Sequence, residues 1–283
     1  VIMKNINIKT KSRFLSTDRK DFWWKEPLWT GFGFLVFVLY TTWAMLQGNY
    51  YWWSAFQGGF GGYLSPFYSP LFFINEGVDG VAPLGHAWFG AWPEWIPRFV
   101  PATPAILILA GPLSFRMTCY YYRKFYYRAY FLTPPGCAVS GFPHKKYKGE
   151  TVLFVFQNLH RYTLYLALII IAILAYDGIL SLFRGGRFGV GVGSLILIIN
   201  PILLSGYTFG CHAFRHLVGG NKNCFTCIKG KPTVRYRLWK GVSVLNNRHM
   251  FWAWASMVWV AFSDIYVRMV ASGAWTDLNT WGS

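Results

Sequence analysis

The chain has 283 residues, of which 54% are hydrophobic and only 13% are charged. A soluble domain of this length rarely has such a composition, so the sequence predicts an integral membrane protein. The net charge of +17 is compatible with a nucleic-acid partner, but the basic residues are grouped between apolar segments instead of along one face. We therefore interpret the charge as topogenic and expect no nucleic-acid binding.

Five apolar segments predict an all-α membrane protein, a five-helix bundle within residues 27–283 that follows a basic arm at 1–26. The predicted spans are about 27–46, 103–119, 162–183, 194–217 and 250–270. A short interfacial helix at 152–159 is expected to lead into the third span. Residues 48–100 are crowded with aromatic residues, Gly and Pro and carry almost no charge. This composition favours an ordered external cap at the membrane interface, in contact with lipid.

The distribution of Lys and Arg predicts the topology. Seven of these residues lie in 1–26, six in 120–150 and seven in 219–248, whereas the other loops and the tail hold three. Under the positive-inside rule the N-terminus is cytoplasmic and the C-terminus external. Residues 1–21 contain no apolar signal core, so the first span is expected to direct its own insertion into the cytoplasmic membrane.

The segment 205–220, with the sequence SGYTFGCHAFRHLVGG, places soft metal ligands at the end of the fourth predicted span. On a continuous helix His212 and His216 are four residues apart on one face, and Cys211 lies at the edge of the same face. Polar groups within a span are costly and usually mark a functional site. The alternative is a helix end where the histidines bond carbonyls and the cysteine packs as a small apolar residue.

The predicted topology brings six such residues to one cytoplasmic depth. Cys119 ends the second span, His160 begins the third, His249 begins the fifth, and the remaining three end the fourth. Independent placement would scatter thiols and imidazoles over different depths, so their common level predicts a redox metal centre.

The donor types leave the nature of this centre open. Two cysteines and two histidines are the ligands of a Rieske-type [2Fe–2S] cluster, whereas two histidines alone suit a b-type haem. A Cys119–Cys211 disulfide is not expected, because the cytoplasm keeps thiols reduced. Cys224 and Cys227 form a lone CxxC, which we interpret as incidental, and Cys137 receives no role.

Two acidic residues fall near the outer ends of spans, Asp177 in the third and Asp264 in the fifth. Asp264 precedes Arg268 by four residues, which is the spacing of a helical ion pair. We favour a satisfied structural pair over a proton route.

Several blocks resemble the five-helix membrane subunit of succinate dehydrogenases (succinate:quinone oxidoreductases) whose anchor carries a membrane-embedded Rieske-type cluster in place of haem. They cover most of the chain from the second span onward: FRMTCYYYRK (115–124), PPGCAV (134–139), QNLHRY (157–162), GYTFGCHAFRHLVGG (206–220), LNNRHM (245–250) and DIYVR (264–268). The resemblance implies a flavoprotein subunit and an iron–sulfur subunit docked on the cytoplasmic face. It also implies that dicarboxylate chemistry takes place on another subunit, so no catalytic residue is expected here.

On this basis we expect Cys119 and Cys211 to bind one iron and His160 and His216 the other, with His212 and His249 as alternates. Ligands from three helices would hold these helices together, and the two remaining histidines would then orient the ligands or contact quinone.

The quinone, menaquinone or ubiquinone, is expected in the same cytoplasmic layer. Five residues on or beside the ligand-bearing turns offer donors or flat ring faces to it: Arg116, Tyr121, Arg161, Arg215 and Trp252. The alternative function is a multi-pass transporter or channel that uses the same polar groups as a substrate path. It is less favoured, because no internal repeat is visible and the ligands cluster at one interface.

Overall fold

In a computed structural model the described residues are 13–54, 61–97, 99–142, 149–220 and 233–281, with the backbone alone for 149–157. They form a mostly helical protein, as predicted. The helices are α1 (Lys25–Gln47), α2 (Ala105–Thr118), α3 (Tyr120–Ala129), α4 (Gly149–Leu180), α5 (Val192–Phe209), α6 (His212–Gly219), α7 (Val234–Asn247) and α8 (His249–Ala271). Two short antiparallel pairs join β1 (Trp52–Trp53) to β2 (Tyr63–Leu64) and β3 (Phe183–Arg184) to β4 (Arg187–Phe188).

Four helices in the described part are long and apolar enough to cross a membrane: α1, residues 158–180 of α4, α5 and α8. The bounds of α1 and α8 agree with the first and fifth predicted spans to within two residues. The second predicted span corresponds to α2, which has 14 residues. At about 1.5 Å per residue it is roughly 21 Å long, shorter than a hydrocarbon core of about 30 Å. The five-span count and the orientation of the N-terminus therefore stay predictions.

The predicted fourth span, 194–217, is wrong at its end, because α5 stops at Phe209 and α6 is a separate helix. Cys211 between them is extended, with φ −69° and ψ 146°. The side-chain amide of Asn246 donates to the carbonyl of Gly210 at 2.8 Å, an acceptor that a continuous helix would have used itself. Cys211 thus precedes the helix that carries His212 and His216 instead of sharing a face with them.

Two other predicted boundaries also differ. The aromatic and basic extension of the second span is not continuous with it, because Cys119 is extended, with φ −70° and ψ 135°, and separates α2 from α3. Conversely, the predicted interfacial helix 152–159 and the third span form the single helix α4. Residues 1–12 of the basic arm and the loop with Cys224 and Cys227 lie outside the described residues.

Helix α5 packs between α4 and α8, and α2 packs against α4. The antiparallel arrangement gives the bundle two ends. We call the end with Cys119 and Cys211 the thiol end, and the end with Asp264 and Asp277 the carboxylate end. The segment between α1 and α2 covers the carboxylate end and includes β1, β2 and a 3₁₀ turn at Leu84–His86.

Candidate functional site

A cavity of about 750 Å³ opens at the thiol end, and its lining includes all six predicted Cys and His ligands. These residues are Cys119, His160, Cys211, His212, His216 and His249. The two helix breaks turn the cysteines toward the cavity, α4 and α6 contribute three histidines, and His249 is the first residue of α8. The structure thus brings together residues that are up to 130 positions apart in the sequence.

The closest donors form two Cys–His pairs. His160 Nε2 lies 2.9 Å from Cys211 Sγ, and His249 Nε2 lies 3.7 Å from Cys119 Sγ. The Thr118 hydroxyl is 2.9 Å from His160 Nδ1, and the Phe115 ring stacks on the imidazole at 4.4 Å. These contacts hold the His160 ring with Nε2 directed at the thiol.

The four histidines differ in burial. His249 is only 3% exposed and lies between the rings of Tyr207 and Tyr121, each with its centroid 5.0 Å away. Its Nδ1 is buried and has no hydrogen-bond partner among the described residues. His160 is half-buried, whereas His212 and His216 are exposed at the rim of the cavity.

Both thiols are unfavourable sites for a bare negative charge. Burial, together with the nearby Cys119 thiol, raises the pKa of the Cys211 thiol to about 12. The N–H of Ala213 donates to Cys211 Sγ at 3.3 Å and lowers the pKa only in part. Thiolates would therefore need a cation close by at neutral pH.

No three His, Cys, Asp or Glu side chains in the described part of the chain are close enough to hold one metal ion. The donors instead form two Cys–His pairs in the lining of one cavity. This arrangement does not suit a single-ion cage, but its donor types and number fit a centre that distributes four ligands over two metal atoms.

The structure separates the five predicted quinone contacts. Tyr121 and Arg161 line the cavity. Arg116 is buried and bonds Tyr122 and Ser256. The guanidinium of Arg215 stacks on the Trp239 ring at 4.5 Å. The Trp252 ring packs against Gly206, where an added Cβ would lie 2.5 Å from it.

Sequence reasoning missed two residues of this site. Thr118 orients His160, and Tyr207 stacks on His249. Thr118 directly precedes the predicted ligand Cys119, and this position in the sequence could have indicated a residue that supports the site. Tyr207 is one aromatic among many in an apolar helix, and its role depends on the way α5 packs against α8.

At the carboxylate end, the predicted Asp264–Arg268 pair is present at 2.7 Å, and both side chains are buried. The Tyr40 hydroxyl donates to Asp264, and Arg268 also donates to the carbonyls of Ala44 and Asn49 at the end of α1. Sequence reasoning missed a second buried pair, Arg184–Asp277 at 2.9 Å.

Comparison with known proteins gives a family and a similar structure. Residues 25–273 match the family model described as actinobacterial succinate dehydrogenase subunit SdhC. A chain of a solved structure described as the Mycobacterium smegmatis Sdh1 complex in the apo form is 41% identical, with a TM-score of 0.79 and 94% of each chain covered. No curated protein matches. The chain therefore belongs to the actinobacterial SdhC family, the membrane subunits of succinate dehydrogenase.

Proposed function

We propose that this subunit passes electrons from a soluble iron–sulfur subunit to membrane quinone through a metal centre in the thiol-end cavity. The observation that carries the proposal is the lining of one cavity by two thiols and four imidazoles from separate elements. A membrane subunit with a purely anchoring role has no need for such a set, since buried polar groups are costly within a bilayer.

We propose a Rieske-type [2Fe–2S] cluster, with Cys119 and Cys211 on one iron. The two Cys–His contacts of 2.9 and 3.7 Å support His160 and His249 as the imidazole ligands. The buried, unpartnered Nδ1 of His249 and the exposed position of His216 favour His249 over His216, the residue that the sequence suggested. When bound, the cluster would supply one-electron transfer. The protein would supply buried side chains that limit contact with water and, through Thr118, a fixed orientation of His160.

The runner-up centre is a b-type haem held by two histidines. The two buried thiols favour the cluster, because a bis-histidine haem leaves both without a function. The two centres differ in which residues they need. A haem would survive loss of the thiols, and the cluster would not.

We propose that the quinone head binds beside Tyr121 and Arg161, the two candidates in the cavity lining. The Arg161 guanidinium donates to the side-chain oxygen of Asn158 at 3.2 Å, which directs it along the cavity wall. Its remaining N–H groups can donate to a quinone carbonyl, and the exposed position gives access to the protons that quinone reduction consumes.

We propose that the thiol end faces the cytoplasm and carries the flavoprotein and iron–sulfur subunits. Basic side chains on two helices at this end support the orientation: Arg123, Lys124 and Arg128 on α3, and Arg235, Arg237 and Lys240 on α7. Positive charge on this side agrees with the positive-inside rule and offers acidic partner surfaces complementary contacts.

The test is iron analysis with paramagnetic resonance spectroscopy of the complete complex, purified without oxygen. The reduced wild type should give a [2Fe–2S] signal additional to those of the iron–sulfur subunit. Cys119→Ser, Cys211→Ser, His160→Gln and His249→Gln should each remove it, whereas His212→Gln and His216→Gln are the matched variants that should retain it. An optical haem spectrum that survives both cysteine changes would show that the centre is a haem.

The quinone site has a separate test. Arg161→Leu should slow quinone reduction while electron flow from succinate to a soluble artificial acceptor continues. Arg215→Leu is the control, because Arg215 stacks on Trp239 and is absent from the cavity lining. Normal quinone reduction by an assembled Arg161→Leu complex would exclude this site.

A further inference from the structure

Arg116, in the last turn of α2, is a buried cation whose polar contacts are all neutral. Its side chain is 7% exposed. The guanidinium donates to the Tyr122 hydroxyl, to Ser256 Oγ at 3.1 Å and to the Ala253 carbonyl at 3.4 Å. It also lies 5.0 Å from the centre of the Tyr207 ring. No Asp or Glu in the described part of the chain forms an ion pair with it.

The other buried arginines among the described residues have counter-ions. Arg184 lies 2.9 Å from Asp277, and Arg268 lies 2.7 Å from Asp264. A buried charge without a partner is expensive, and proteins normally pair it. Since no described carboxylate pairs with Arg116, we expect its counter-charge to come from another kind of anion.

The thiols of the thiol-end cavity can become anionic, and Cys119 is the residue at which α2 ends. Cys119 follows Arg116 by three residues. The guanidinium lies 5.0 Å from the centre of the Tyr207 ring, which stacks on His249, and His249 Nε2 is 3.7 Å from Cys119 Sγ. The cavity adjoining Arg116 on the opposite side, toward the bundle centre, is about 60 Å³ and apolar apart from Arg116 and a few hydroxyls. That volume is far below the roughly 300 Å³ of a small ligand pocket, so quinone binding does not explain the buried charge.

We propose that Arg116 is the counter-charge of the thiolate-bound centre and that its positive charge raises the reduction potential of that centre. The inference rests on the proposed function. Reduction by one electron adds one negative charge at the metal, and a nearby cation in a medium of low dielectric constant favours that state. Arg116 would thus hold the centre at a potential that accepts electrons from the soluble subunit, without being a ligand.

Ser256 allows the charge to be neutralised while Arg116 stays in place. Ser256→Asp puts a carboxylate within reach of the guanidinium, and Ser256→Asn is the neutral variant of nearly equal size. The measurement is a potentiometric titration of the complete complex, with the paramagnetic signal of the reduced centre as readout. Ser256→Asp should shift the midpoint potential downward, and Ser256→Asn should leave it near the wild-type value.

A second pair covers failure of Ser256→Asp to assemble. Arg116→Gln should lower the potential or lose the centre, while Arg116→Lys, which keeps the charge, should stay close to wild type. Arg161→Gln removes an exposed charge beside the same cavity and should shift the potential less than Arg116→Gln, because water screens it.

The role of Arg116 would be overturned if Ser256→Asp and Ser256→Asn had equal potentials, or if Arg116→Gln and Arg116→Lys did. Loss of the centre in both Arg116 variants would also overturn it. These outcomes can be distinguished from failure of the proposed function. A wild-type complex without a redox centre in this subunit overturns both, whereas an unchanged potential in a complex that holds the centre overturns only this inference.

Discussion

The two ends of the bundle treat buried polar groups in opposite ways. At the carboxylate end, Asp264 and Asp277 each meet an arginine, and further hydroxyls and backbone groups complete their hydrogen bonds. At the thiol end, the described residues include a buried imidazole nitrogen without a partner and a buried guanidinium without a counter-ion. Buried polar groups are normally satisfied, so the first arrangement indicates a structural role, and the second marks where a group outside the chain is expected.

Asp277 shows how complete the satisfaction is at the carboxylate end. One carboxylate oxygen accepts from Arg184 and from the Tyr63 hydroxyl at 2.9 and 2.8 Å. The other accepts from the Tyr266 hydroxyl and from the N–H of Gly193 at 2.8 and 3.0 Å. Asp277 thereby joins the C-terminal tail to α5, to α8 and to the β2 and β3 strands, and nothing remains free for a ligand.

The largest expected effect is therefore the loss of one partner of this pair. Asp277→Asn leaves the Arg184 charge buried and uncompensated, which should lower the free energy of unfolding by about 3–5 kcal/mol. Thermal unfolding of the purified complex measures the change. Glu76→Gln, at an exposed carboxylate on the same side, is the control and should have no measurable effect. A loss below about 1 kcal/mol for Asp277→Asn would contradict a structural role for the pair.

At the thiol end, stability is expected to depend on close packing instead of ion pairs. An added Cβ on Gly206 would lie 2.5 Å from the Trp252 ring, so Gly206→Ala should cost about 1–3 kcal/mol through overpacking between α5 and α8. Gly241→Ala, in α7 with open space around it, should be neutral or slightly stabilising. Equal melting temperatures for the two variants would show that the interface yields more easily than its geometry indicates.

Sequence reasoning worked where one physical signal was dominant. Apolar runs long enough to span a bilayer predicted α1 and α8 almost to the residue, and Gly48 in the left-handed conformation ends α1. The grouping of two cysteines and four histidines followed from the alternating directions of the predicted spans, and all six line one cavity. The i,i+4 spacing predicted the Asp264–Arg268 pair, because both partners lie on one helix.

The features that sequence reasoning did not predict share a different cause. The break at Gly210 is stabilised by Asn246, a residue 36 positions later, and no local pattern reports that contact. Burial of His249 and exposure of His216 likewise depend on how α6 and α8 pack. Arg116 was predicted as a quinone contact because it lies beside a ligand-bearing turn and offers a donor, and that role stays a prediction. Its contacts with Ser256 and Ala253 were not visible in the sequence, since both residues belong to another helix.

A smaller effect on stability is expected for Thr118, which orients His160. Thr118→Val removes the hydroxyl contacts to His160 and to the Ser114 carbonyl and should cost about 0.5–1.5 kcal/mol. It should also weaken metal retention by roughly 10–100-fold. Iron content after a chelator challenge provides the second measurement. Ser114→Ala is the control, because that hydroxyl donates to the Gly111 carbonyl within the same helix. Full iron retention in Thr118→Val would remove Thr118 from the site.

The smallest effect on stability is expected at Tyr51, which is an exception at the carboxylate end. Its ring stacks on Tyr68 with centroids 4.2 Å apart, but its buried hydroxyl has no hydrogen-bond partner among the described residues. Removing an unsatisfied buried hydroxyl relieves its desolvation cost, so Tyr51→Phe should leave the melting temperature unchanged or raise it slightly.

Tyr63→Phe is the matched comparison, because the same atom is removed from an equally buried ring. The Tyr63 hydroxyl bonds Arg184 and Asp277, and its loss should cost about 1.5–3 kcal/mol, as expected for hydrogen bonds to charged groups. If Tyr51→Phe were as destabilising as Tyr63→Phe, the Tyr51 hydroxyl would have a partner that the described residues do not supply. An orphaned polar group would then mark a binding site at the carboxylate end as well, and the contrast between the two ends would no longer hold.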